Sequence, residues 1–249
     1  MNIGLYQSAA SLSALERWQD AVAQNITSSQ VTGFKRRTVQ MGGNFSGEVL
    51  IDPKARVDAG EGRPAVFPTV RYGISFAPGE SQPTRRELDL ALSGEGFFSM
   101  RMPDGQTAYT RAGQLQVRSD RTLVNSAGLE ILSDAGAPIQ LLPTGGTVVV
   151  DENGVVSQGD TPIGRLGIAN FERPEALTPL SAGLFLAPEG VDAEEVDKPG
   201  VLQGHLEASN TKPLQEMVDL VNIARAYEAN QKMITSRDEL LQRTLESLT

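Results

Sequence analysis

"QNITSSQVTGFKRRT" (Gln24–Thr38) decides how this chain is organised. It closes an amphipathic run and then stops being helical. Ser28, Ser29, Gln30, Thr32 and Gly33 crowd together, and Phe34 follows with three cations, Lys35, Arg36 and Arg37. Residues of this kind favour turns and helix ends over helix interiors. The stretch can be a ligand loop, a basic nucleic-acid patch, or a hinge where a helix hands over to another kind of structure.

Upstream, Leu5, Ser8, Leu12, Leu15, Gln19, Val22 and Ile26 recur at alternating steps of three and four. That is a heptad seam on one face of a helix over residues 2–29. The far end of the chain repeats it. Met217, Leu220, Ala224, Tyr227, Gln231, Ile234, Leu241, Leu245 and Leu248 form a second seam over residues 213–248, with Asp238 the charged exception. Asn210 or Thr211 is expected to cap this helix. Pro213 fits its first turn, where the missing N–H has no helical partner.

Between the helices the pattern changes. Residues 41–65 are Gly-rich and weakly patterned, and read as an extended connector. From 66 to 205 the period becomes two, as in "LDLAL" (88–92), "TVVVD" (147–151) and "RLGIANF" (165–171). Turn signals such as Pro103-Asp104-Gly105, Ser126-Ala127-Gly128 and Asn153-Gly154 recur at short intervals, the mark of short antiparallel strands. The predicted fold is mainly β with terminal helices. A β-rich body (66–205) is inserted between N- and C-terminal segments (1–40 and 206–249), whose helices pair in a coiled-coil-like manner. Residues 1–40 are mildly basic and 206–249 mildly acidic, which favours that pairing. A narrow-seam helix is marginal alone, so each needs the other or other copies.

The net charge of −9 argues against nucleic-acid binding, which needs a surplus of Lys and Arg. It also disfavours an anionic membrane surface. No run of about 18 apolar residues predicts a membrane span. The absence of cysteine excludes disulfides, thiolate metal sites and cysteine nucleophiles. The N-terminus lacks the basic start and apolar stretch of a secretory signal.

Catalytic chemistry is equally sparse. His205 is the single histidine and reads as a surface residue. "DENG" (151–154) lacks the later ligands of a calcium loop and reads as a hairpin turn. "SGEGFF" (93–98) lacks dinucleotide-binding spacing. The acidic run Glu189–Asp197 reads as a solvated loop, and Lys35–Arg37 as a solvated strand start. No cofactor, metal or small-molecule substrate is expected.

Three motifs now combine. "AQNITSSQVTGFKR" (23–36) resembles the N-terminal signature of the bacterial flagellar rod and hook family, A-N-N-L-A-N-x-N-T-x-G-[FY]-[KR]. Ala23, Asn25, Thr32, Gly33, Phe34 and Lys35 fit it, whereas Gln24, Thr27, Ser28, Gln30 and Val31 depart from it. "ELDLALSGEGFFSMRMPDGQTAYTRAGQLQV" (87–117) is similar to the family's central segment. "LEASNTKPLQEMVDLVNIARAYEANQKMITSRDELLQ" (206–242) resembles its C-terminal signature. Within the family the chain leans to the rod proteins. "SNTKP" (209–213) is nearer the proximal rod, and "RAYEANQK" (225–232) nearer the distal rod.

The resemblance implies a structural subunit of the basal-body rod, not an enzyme. It implies export through the flagellum's own apparatus without a cleaved signal peptide. The partners it implies are copies of the chain, other rod and hook proteins, and that export apparatus. The terminal helices would pack into an inner tube of the periplasm-spanning rod. Leu5, Leu12, Leu15, Val22, Asn25, Ile26, Gly33, Phe34, Met217, Leu220, Tyr227, Ile234 and Leu241 are the expected assembly residues. The alternatives are an exported cell-wall-acting enzyme and a hook-type axial protein. On this reading Gln24–Thr38 is a hinge. Gly33 is expected at positive φ, a region that Asn tolerates better than Val.

Overall fold

The structure, a computed structural model, describes residues 3–45, 66–143 and 145–246. It is mainly β, with one helix at each end. The chain divides into two compact units. A helical unit holds residues 1–27, 37–73 and 212–249, and a β body holds 28–36 and 74–211.

In the helical unit, helix α1 spans Ile3–Thr27 and helix α2 spans Pro213–Glu246. The Thr27 hydroxyl donates back to the Ala23 carbonyl at 2.9 Å, a local bond that competes with continued helix. The two helices pack against each other through Leu15, Val22 and Ile223, flanked by Trp18, Ile26, Leu220, Ala226 and Tyr227. Strands β1 (Arg37–Phe45) and β2 (Val66–Ile74) pair as a two-stranded ribbon. Residues 41–45, read from sequence as connector, therefore continue β1. Residues 46–65 lie outside the described residues.

The β body is built from short antiparallel strands. Nine of them form one sheet, with Phe97–Arg101 near its centre. That strand pairs with Thr107–Thr110, Glu130–Ile131 and Ile168–Asn170. Val148–Val150, Val155–Gln158 and Thr161–Arg165 form a separate three-stranded sheet. "DENG" turns its first hairpin, with Asp151 Oδ1 accepting the N–H groups of Asn153 and Val155 at 3.0 and 2.8 Å. Strand alternation at Phe97–Arg101 serves two apolar clusters, one on each face. Phe98 and Met100 enter one apolar cluster with Leu115, Ile131 and Val156, while Phe97 enters another with Phe171, Phe185 and Leu177. Both faces of this strand are thus buried.

Two pairings tie the ends of the body together. Leu90–Leu92 pairs with Val201–Gln203, and Ser81–Pro83 pairs with His205–Glu207. His205, read from sequence as a surface residue, is accordingly in a strand and half-buried. Its Nδ1 lies 3.0 Å from the Gln203 carbonyl. The acidic run is largely exposed, and Glu194–Glu195 pairs with Ile168–Asn170.

Candidate assembly site

The exit segment Ser28–Arg36 belongs to the β body. It is a sequence of tight turns: Val31 N–H donates to the Ser28 carbonyl and Phe34 N–H to the Val31 carbonyl. Gly33 has φ +67°, as the sequence reading expects. Its N–H donates to the Glu207 carbonyl at 2.7 Å. A Cβ here would lie 2.4 Å from both Ala112 N and the Arg111 carbonyl carbon. Close backbone approach therefore constrains this position as much as φ does.

Phe34 is buried, and beside it Lys35 corrects the sequence reading. Lys35 is not solvated. Its side chain is 1% exposed, and Nζ donates to Glu207 Oε1 at 2.7 Å and to the Ala77 carbonyl at 2.9 Å. Glu207 Oε1 also accepts Gly79 N–H at 2.8 Å. Arg111 Nη1 reaches Glu207 Oε2 at 3.4 Å, and its guanidinium lies 5.3 Å from the centre of the Phe97 ring. Two buried cations thus share one buried carboxylate. A lone buried charge is expensive, so the carboxylate is what makes the cluster tolerable.

Asn210 was expected as a possible helix cap. Instead its Oδ1 accepts Arg36 N–H at 2.6 Å, and its Nδ2 donates to the Ser75 and Ala77 carbonyls at 2.8 and 2.9 Å. This amide ties the exit segment to the start of the body.

Burial holds the Lys35 amine below the usual lysine pKa, an effect only partly offset by Glu207. The native body then binds fewer protons than the unfolded chain between that lowered pKa and about 10.4. Stability should rise as pH climbs through this window. Burial raises the Tyr109 pKa and works in the opposite sense above about pH 10. The comparison is therefore with Lys35→Met, in which Tyr109 is unchanged. Denaturant midpoints from pH 7 to 10.5 should rise in the parent relative to this variant. A constant difference would contradict the assignment.

In the helical unit Leu15, Val22 and Asn25 are buried, and Leu12, Ile26, Leu220, Tyr227 and Ile234 are half-buried. Leu5 and Leu241 lie in α1 and α2, their side chains outside the described set. Met217 departs from expectation: it is 51% exposed, while Glu216 beside it is fully buried. The packed stripe of α2 runs through Glu216, Leu220, Ile223, Tyr227, Asn230 and Ile234, so alternate seam positions fall one residue earlier than the sequence reading placed them. Asn25 Nδ2 donates to Glu216 Oε2 at 3.0 Å, which explains the rotation. A hydrogen bond to a buried carboxylate outweighs covering one methionine.

The rotation leaves a second stripe bare. Leu214, Met217, Val218 and Val221 are 81, 51, 53 and 50% exposed. At about 100° per residue they share one face of α2, roughly opposite the packed stripe.

Glu207, Arg111 and Glu216 were not singled out from sequence, and Asn210 was singled out for a different role. Arg111 and Glu207 lie inside recognised motifs, but they are 96 residues apart, and Lys35 lies 172 from Glu207. Nothing local signals such pairs. Among the described residues no group of three His, Asp or Glu side chains is placed to hold a metal ion, and no helix is long and apolar enough to cross a membrane.

Comparison with known proteins agrees with the motifs. Residues 91–158 match the flagellar hook protein FlgE/F/G D1 domain, and residues 202–247 match the flagellar basal body rod FlgEFG protein C-terminal region. Over all of the chain and 98% of the relative, it is 32% identical to the flagellar basal-body rod protein FlgF of Caulobacter vibrioides. It is 30% identical to FlgG of Borreliella burgdorferi over 95% of each chain. It is also 30% identical to FlgF of Rhizobium meliloti over all of the chain and 98% of the relative.

Proposed function

Because the chain belongs to the flagellar basal-body rod proteins, a family of structural proteins and not of enzymes, we propose that it polymerises through its terminal helices into the rod. The helices pair in a coiled-coil-like manner within each subunit and pack with those of other copies and other rod or hook proteins. The rod so formed crosses the periplasm as the shaft between motor and hook. The chain reaches it through the flagellar export apparatus, without a cleaved signal peptide.

One observation supports this reading above the others. The stripe Leu214, Met217, Val218 and Val221 is apolar, continuous on one helix face and uncovered by α1. A single exposed aliphatic residue needs no explanation, but four on one face of a helix mark a contact surface. Each copy also carries the complementary half of the contact elsewhere on its surface. Such head-to-tail contacts build filaments when the rotation does not close. Val22, Asn25, Leu15 and Leu220 act behind the stripe, holding the helices that present it. Gly33 and Phe34 seat the exit segment on the body.

Val218→Asp tests the proposal directly. The site is exposed, so folding should change by no more than about 0.5 kcal/mol. In the concentrated parent protein, electron micrographs should show filaments or short tubes; in Val218→Asp they should be absent. Undiminished filaments in the variant would remove α2's exposed face from the assembly.

A further inference from the structure

The apolar contact of α1 with α2 is thin. Among the described residues its buried large side chains are Leu15, Val22 and Ile223, with only half-buried residues packed around them, and alanines 14 and 21 fill much of the rest of the buried face of α1. Repeating small and aliphatic residues at heptad spacing fit several registers nearly equally, because a slip of one turn exchanges one such residue for another. Something else must select the register seen.

The polar members of the contact are different in kind. Glu216 is fully buried, and Asn25 is 1% exposed. The Asn25 amide is fixed on every side. Its Oδ1 accepts Arg37 N–H at 2.8 Å, and its Nδ2 donates to the Arg37 carbonyl at 2.9 Å and to Glu216 Oε2 at 3.0 Å. One side chain in the last turn of α1 therefore holds both the first residue of β1 and the first turn of α2. In any slipped register Glu216 would stay against α1 without this donor. A buried carboxylate deprived of a hydrogen bond is strongly disfavoured.

We propose that Asn25 and Glu216 are the positioning pair that fixes the register of α1, α2 and the ribbon, while the apolar stripe supplies adhesion without selectivity. A single polar contact in an otherwise apolar helix seam is known to select register at some cost in stability. The inference concerns the isolated chain and does not depend on polymerisation.

The chain has no cysteine, so paired spin labels can be placed at Ala9→Cys and Asn222→Cys, both exposed. Electron–electron distance measurement should give one narrow distance in the parent background. Glu216→Gln retains an acceptor for the Asn25 amide and should keep it. Glu216→Leu should keep its helical signal and melting transition, yet add a second distance. The displacement should be about 5 Å for a one-turn slip or about 10 Å for a heptad slip. Ile223→Ala should do the reverse, lowering the transition while leaving one narrow distance. A single unshifted distance in Glu216→Leu would overturn the proposal. So would loss of its helices, which would make the pair a source of stability rather than of register. Broadening in Glu216→Gln or Ile223→Ala would also count against it.

Discussion

Glu207→Gln is expected to cost the β body about 3–5 kcal/mol, enough to leave much of it unfolded at 37 °C. The substitution keeps the size and one acceptor oxygen, so Gly79 N–H can still be satisfied. What disappears is the carboxylate that, among the described residues, is ion-paired with the buried side chains of both Lys35 and Arg111. Two buried cations then lose the counter-charge they share at ion-pair distance. Removing a cation should be far milder. Lys35→Met leaves Arg111 paired with Glu207, and the Ala77 carbonyl keeps its bond from Asn210. The cost of Lys35→Met should stay below about 1.5 kcal/mol, in line with apolar replacement of a buried ion. Urea denaturation of the two variants decides the matter. Equal losses would mean that the cluster acts by packing, not by charge.

Substitution of Gly33 should be nearly as damaging, and in a pattern that separates two causes. If positive φ alone constrained the site, Asn would be tolerated and Val would not. The structure adds the backbone of Arg111 and Ala112, 2.4 Å from where a Cβ would sit. Backbone cannot move aside as a flexible side chain can. Ala, Asn and Val should therefore all fail, each losing about 2–5 kcal/mol from the left-handed conformation and the forced backbone shift together. In cells these variants should leave few completed rods, because every subunit carries the same fault. Normal stability and assembly of Gly33→Asn beside a defective Gly33→Val would show that backbone conformation, not close approach, sets the requirement.

The sequence by itself determined the order of structure along the chain. Heptad steps from Leu5 to Ile26 and from Met217 onward placed the two helices, and period-two runs with turn residues placed a β body. These are local signals, since side-chain periodicity follows from backbone geometry within a few residues. Motif order along the chain indicated the family, and Gly33 carried its own clue in the change from helix to Phe34. Tertiary structure decided which residues meet. The sequence put Met217 in the seam because it is apolar and in step, yet Asn25 draws Glu216 inward and leaves Met217 on the surface. It read Lys35 as solvated because it is charged, yet Glu207, 172 residues away, makes its burial possible. The physical reason is the same in both cases. Whether a polar side chain can be buried depends on a specific partner, and partners brought together by folding leave no periodic trace in the chain.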